Sequence, residues 1–293
     1  MDILKKNDKD KIDNNDKRCS PHISFDGISC IQLHSLVEMA KAYNKFVDKN
    51  VIKLNDKDET LNPVQYKKYL INQFNEQLGD TCSTQNCWTK QDFIKYLKKS
   101  THDEVKKYTF RPLGPEGKFE WLNTFNINDV MTQYEKKHPD FKYLGTVPMD
   151  FDSLPQLGLK DLKVKDLHEK GIKQIGLVLN LDNHNEDGSH WVGLYAHFKK
   201  GVYYFDSYGA NPEPRVRELM KRIYKQCKKE LGCKDCTAGY NKIRHQYKNS
   251  ECGVYSMNFI ERMLEGEKFN NICESKTSDD DIHKYRKKYF LNT

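Results

Sequence analysis

The stretch SECGVYSMNFIERML, residues 250–264, sets one cysteine at the head of an apolar pattern with helical period. Val254, Met257, Phe259, Ile260, Met263 and Leu264 fall on one face of a helix that would begin at Cys252. At a helix N-terminus the unpaired backbone N–H groups and the helix dipole favour a thiolate, which is the nucleophilic form of cysteine. The competing reading is a buried structural thiol, because free cysteine behaves as a small hydrophobe. A nucleophile at neutral pH also needs a base within hydrogen-bond reach. That base in turn needs a third group to hold its tautomer and support its charged form.

Two upstream stretches offer these groups. GSHWVGLYAHF places His190 at the very start of a strand pattern, and GVYYFDSYG places Asp206 at the end of the next one. If the two strands form an antiparallel hairpin, its open end brings the beginning of the first beside the end of the second, so His190 meets Asp206. Stabilising a developing oxyanion requires amide donors. The Cys252 N–H is one, and Gln246, six positions before the cysteine, can supply a second. Singly, His190 reads as an exposed strand-end residue, Asp206 as a turn former and Gln246 as a surface amide. In the order His, Asp, Gln, Cys they read together as an activated thiol nucleophile, a cycle that requires no metal or cofactor.

With HW at 190–191, FDS around Asp206, Gln246 and ECGVYSMNF around Cys252, the chain resembles the cysteine proteases of the SUMO protease and adenovirus protease clan. Papain-type proteases run cysteine first and histidine later, and match poorly. LNTFNIND (122–129), KYLGTVPMDF (142–151) and NKIRHQYKNSECGVYS (241–256) look more specifically like the polyprotein-processing protease of African swine fever virus and related giant DNA viruses. The resemblance covers roughly residues 118–293. It implies an α+β ubiquitin-like-protease fold, a central mixed sheet flanked by helices. The implied activity is an endopeptidase that cuts viral structural polyproteins after Gly-Gly during particle maturation, in the host cytoplasm and the virion. It further implies a cleft too narrow for a side chain next to the cut, with Trp191 as one wall. Asn249, three before the cysteine, is a second amide near that cleft. In the swine fever virus relative the third triad member is an asparagine, whereas Asp206 follows the SUMO proteases. An isopeptidase acting on ubiquitin-like proteins, a clan-related acetyltransferase and an inactive scaffold are the alternatives.

Several elements must position these residues. QIGLVLNLD (174–182), HWVGLYAHF (190–198) and GVYYFDS (201–207) read as strands, the last two joined by a KKG turn. PEPRVRELMKRIYKQCKKEL (212–231) reads as an amphipathic helix with Pro212 or Pro214 in its first turn, and a further strand precedes the cysteine helix. Asn126 or Asn128 is expected to cap a helix before residue 140, and Ser278 to cap a final one. The N-terminal segments 30–47, 64–78 and 90–108 each carry helical spacing. Together these give a polar, disordered segment over 1–18, a helical arm over 19–116 and a catalytic domain over 117–293, with the boundary in RPLGPEGK (111–118).

Composition sets the outer limits. A chain of 293 residues supports a large core without disulfide scaffolding. Nine cysteines, an odd number, behind a charged N-terminus without an apolar signal-peptide core favour reduced thiols. Cys227, Cys233, Cys236 and His245 could make a zinc site, although one CxxC without a second pair is weak, and Cys82 with Cys87 could be core thiols or a redox pair. His245 reads as a loop or cleft residue rather than as the base. The formal charge of +7 is spread among interspersed acids and bases, which permits nucleic-acid binding without indicating it. No run of 18 apolar residues suggests a membrane partner. A monomer acting on Gly-Gly-Xaa sites of a polyprotein is the expectation.

Overall fold

The computed structural model describes residues 14–55, 59 and 62–292. Most of the expected disordered segment, 1–13, lies outside the described residues; Asn14–Lys17 form a 3-10 turn in which Asp16 is buried. The chain divides into two compact units, one ending at Pro112 and one beginning at Leu113.

In the first unit, helices α1 (Leu33–Phe46) and α2 (Pro63–Leu78) carry the apolar faces read from the sequence, and Pro63 sits in the first turn of α2. Phe74 stacks on Trp88 and Phe93, and Tyr43 meets Phe93 edge-on. The segment 90–108 departs from the single helix expected. It breaks into a 3-10 turn (Asp92–Tyr96), one α-turn (Lys99–Asp103) and a π-turn (Glu104–Tyr108). Lys98 is extended between the first two, and the polar run Ser100-Thr101-His102-Asp103 supplies little helix propensity to overcome that break. The expectation of reduced thiols is also corrected. Cys19–Cys30, Cys82–Cys87 and Cys233–Cys236 form disulfides, which leaves Cys227, Cys252 and Cys273 free.

The second unit is built on a five-stranded mixed sheet in the order β1-β2-β3-β4-β5, with β1 Phe141–Val147, β2 Gln174–Asn180, β3 Trp191–His197, β4 Gly201–Phe205 and β5 Thr237–Tyr240. The β2–β3 and β3–β4 pairs are antiparallel, and β1–β2 and β4–β5 are parallel. All of β2 but Asn180 and all of β3 but His197 are buried, which accounts for their near-continuous apolar sequences.

Helices cover both faces. One core joins α3 (Thr124–Lys137) and the later helix α6 (Cys252–Leu264) through Val130, Tyr134, Tyr195, Phe205 and Phe259. The other gathers α4 (Val164–Glu169) and α5 (Pro214–Lys229) through Val164, Leu194, Val216, Leu219 and Ile223. Pro214 opens α5. The cap of α3 is Asn123 rather than Asn126 or Asn128. Its side chain accepts the Asn126 N–H at 2.9 Å while Asn126 reciprocates at 3.1 Å, a capping box with amides in both roles. Asn128 Oδ1 instead accepts the Thr146 N–H of β1.

After α6 the chain forms α7 (Phe269–Glu274), α8 (Asp279–Lys284), capped by Ser278, and the short turn α9 (Arg286–Tyr289). The approach of α6 to the sheet depends on Gly193 of β3. A Cβ there would lie 2.9 Å from the Phe259 ring and 3.2 Å from the Ser256 carbonyl.

Candidate active site

The β3–β4 hairpin pairs Gly193 with Phe205, and continuing that register past the strand ends sets residue 190 opposite residue 208. There the His190 and Tyr208 rings stack, with centroids 4.5 Å apart and planes 16° apart. His190 Nε2 lies 2.7 Å from Asp206 Oδ1, and that oxygen also accepts the Tyr208 N–H at 2.8 Å. The carboxylate is thereby fixed before it meets the imidazole. Asn241 Nδ2 donates to the Asp206 carbonyl at 2.8 Å and holds the turn from behind.

Cys252 is the first residue of α6 and is buried. Its thiol lies within the hydrogen-bonding and electrostatic reach of His190. Burial of the imidazole pulls its pKa down, but the bond to Asp206 and the interaction with the cysteine outweigh this and push it up to about 9. Burial pushes the other free thiols, Cys227 and Cys273, up to about 11, the condition of unreactive structural cysteines.

Gln246 is fully buried. Its Oε1 accepts from Ser207 Oγ at 2.7 Å, its backbone N–H donates to the Ser207 carbonyl at 2.9 Å, and Nε2 donates to the Lys248 carbonyl at 2.6 Å. A primary amide carries two N–H donors, so one remains after the bond to Lys248. Asn249 is exposed on the same loop. His245 lies in a loop, the first of the two readings given for it. It is buried, bonds the Cys273 carbonyl at 3.0 Å and packs edge-on against Phe205 and Tyr255. It does not meet the cysteine cluster. Cys233 and Cys236 are bonded to each other, and no group of His, Cys, Asp or Glu among the described residues is arranged to hold a metal ion.

Trp191 is buried beside His190 and donates from Nε1 to the Leu122 carbonyl at 2.8 Å. A Cβ on Gly253 would come within 3.3 Å of the Trp191 ring and 3.2 Å of the Leu122 side chain, so the bare glycine lets this wall close directly on the residue after Cys252. Next to the wall lies a cavity of about 390 Å³ lined by Trp191, Leu122, Trp121, Asn180, His184 and Asp187, among others.

Sequence reasoning leaves four residues of this region unassigned: Trp121, Tyr208, Glu251 and Arg286. Trp121 lies in the FEWLN run and is 43% exposed beside the cavity. An exposed tryptophan just before a helix cap is the signal that could have found it. Arg286 gives no local signal, since its partners lie 35 and more positions away.

Residues 183–293 match the Ulp1 protease family, C-terminal catalytic domain. A protein of Acanthamoeba polyphaga mimivirus named for thiol protease activity is 37% identical over 273 residues, 90% of this chain and 89% of its own length. The chain belongs to the Ulp1 family of cysteine proteases.

A further relative, a cysteine protease of African swine fever virus from a tick isolate, is 26% identical over 73% of this chain and 84% of its own length. The crystal structure of a protease of the same virus superposes with a TM-score of 0.63 at 20% identity, covering 93% of this chain and 95% of that one, a likeness of fold. This Ulp1-family protein is therefore a cysteine protease acting on protein substrates.

Proposed function

We propose that this protease is a viral endopeptidase that cuts structural polyproteins after Gly-Gly during particle maturation, in the host cytoplasm and the assembling virion, with Cys252 as nucleophile. The observation that carries the reading is His190 held between the Asp206 carboxylate and the thiol at the start of α6. The viral origin of the similar proteases supports its setting.

In the cycle, His190 takes the Cys252 proton and Asp206 supports the imidazolium. The thiolate attacks the carbonyl of the second glycine, and the oxyanion is met by the Cys252 N–H and the remaining Gln246 amide N–H. The imidazolium then gives its proton to the leaving amine. Water, deprotonated by His190, releases the acyl group and regenerates the thiol.

The wall of Trp191 and Leu122 closing on Gly253 supports the glycine requirement, because little room is left beside the nucleophile. The test is cleavage of a fluorogenic Gly-Gly-Xaa peptide beside Gly-Ala-Xaa. We expect kcat/KM to fall at least ~100-fold for the alanine peptide, about the cost of forcing one methyl group into a rigid site plus misplacement of the carbonyl. Equal cleavage of both peptides removes the narrow-cleft reading.

The pH profile supplies a second check. The His190 pKa is raised above that of a free imidazole, so the imidazolium and the stability it brings are fully present below about 6.5. Both are lost as pH rises through about 9. Activity should hold a plateau at neutral pH and decline through that upper value. Asp206→Asn exchanges a charge-assisted bond for a neutral one, worth about 1 kcal/mol, so the alkaline limb should move down by about one pH unit. An unmoved limb in a pH–rate series would show that Asp206 does not support the imidazolium.

A further inference from the structure

Glu251, the residue before Cys252, is 1% exposed, and its carboxylate pairs with Arg286, which is 2% exposed. Arg286 Nε lies 2.9 Å from Oε2 and 3.2 Å from Oε1. The same guanidinium donates through Nη2 to the Glu120 carbonyl at 2.7 Å and to the Ser250 carbonyl at 3.2 Å. His283 of α8 bonds Glu251 Oε1 at 2.9 Å. One planar cation from the C-terminal turn α9 thus grips both the turn that delivers the nucleophile and the peptide bond that leads into Trp121.

Stability alone is a poor reason for this arrangement. A buried ion pair costs much of its Coulombic gain in desolvation, and an apolar pair of similar volume commonly does as well. The position of Glu251 suggests a different use. It stands at the N-cap of α6, where a side-chain oxygen can accept from the first N–H groups of the helix. Here it makes no such bond. A carboxylate seated there would occupy amides needed by an oxyanion and would oppose a thiolate next to it.

We propose that Arg286 is a positioning residue for catalysis: it draws the Glu251 carboxylate away from the helix start and ties the Cys252 turn to the segment that carries Trp121 and Leu122. The proposal rests on Cys252 being the nucleophile. Lysine would keep the charge, but one ammonium lacks the planar fork that reaches Glu251, Ser250 and Glu120 together.

The experiment compares the full-length protein with Arg286→Lys and with the charge-balanced double variant Glu251→Gln/Arg286→Met. Each is measured for melting temperature, for kcat per titrated thiol and for KM on the Gly-Gly-Xaa peptide, with Cys252→Ser alongside. We expect both clamp variants to fold, with kcat lowered at least tenfold and KM changed by less than threefold, the pattern of a lost transition-state alignment. Values of kcat and KM within twofold of the parent in a folded variant overturn the proposal. So does failure of both variants to fold, since the pair would then serve the core alone. A Cys252→Ser protein that still cleaves would instead overturn the nucleophile assignment, so the two failures are distinguishable.

Discussion

Cys252→Ala is expected to abolish peptide cleavage, lowering kcat at least ~10⁴-fold, the scale seen when the nucleophile of a catalytic triad is removed. The fold should survive. The side chain lies at the first position of α6, and losing one sulfur from a small buried site costs on the order of 1 kcal/mol. His190 keeps its bond to Asp206 and its stack on Tyr208, so circular dichroism and the melting temperature should stay close to the parent's. Cys227→Ala and Cys273→Ala provide the contrast. Both thiols are buried with their pKa values pushed up to about 11, and neither interacts with His190, so these variants should retain activity within about threefold. Residual cleavage above ~1% of the parent in Cys252→Ala, with cleavage lost in either of the others, would move the nucleophile elsewhere.

The legibility of this site follows from how local each signal is. The β3–β4 hairpin can be read because aromatic and branched residues run between Gly, Asp and Asn breaks, and one register fixes all of its pairs. His190 and Asp206 therefore meet whenever that hairpin forms. Cys252 is legible because the helical period of α6 begins directly after it. Strand β1 is a harder case. Gly145 at φ 108° shifts the register between Tyr143 and Thr146, which breaks the alternation that a strand pattern relies on.

The disulfides show a different limit. Counting cysteines argues about compartment and core size, whereas Cys19–Cys30 and Cys82–Cys87 are decided by which turns the helical unit brings together. Trp121 stands in view in the sequence but cannot be placed from it, because only the fold brings residues 121 and 122 to the cavity beside Trp191. Arg286 lies furthest from sequence reasoning. In a run of basic residues, RKK, it looks like one more solvated charge, and only the fold shows that it is buried while its neighbours Lys287 and Lys288 are exposed.

The two amides on the loop before Cys252 can be separated by experiment, and the structure predicts which one matters. Gln246 is held at three points, by Ser207 Oγ, the Ser207 carbonyl and the Lys248 carbonyl, so its free N–H is fixed in direction before substrate arrives. Asn249 is exposed, and a solvated amide must be reoriented and stripped of water at the moment of reaction. Only a fixed donor has its reorganisation cost already met by folding. Gln246→Ala should therefore lower kcat by ~10²–10³, the usual effect of removing one oxyanion donor, while Asn249→Ala changes it by less than about threefold. Alkylation of Cys252 by iodoacetamide should be nearly unchanged in both, because His190 and Asp206 are untouched and no oxyanion forms in that reaction. The alanine at 246 also leaves the buried Ser207 hydroxyl without its acceptor, at about 1–3 kcal/mol of stability. Gln246→Glu, which keeps an oxygen for Ser207 but removes the N–H donors, shows whether the loss of turnover follows the donor or the fold. A large loss in Asn249→Ala with Gln246→Ala near the parent would assign the oxyanion to the exposed amide and leave Gln246 as a brace for the Asp206 turn.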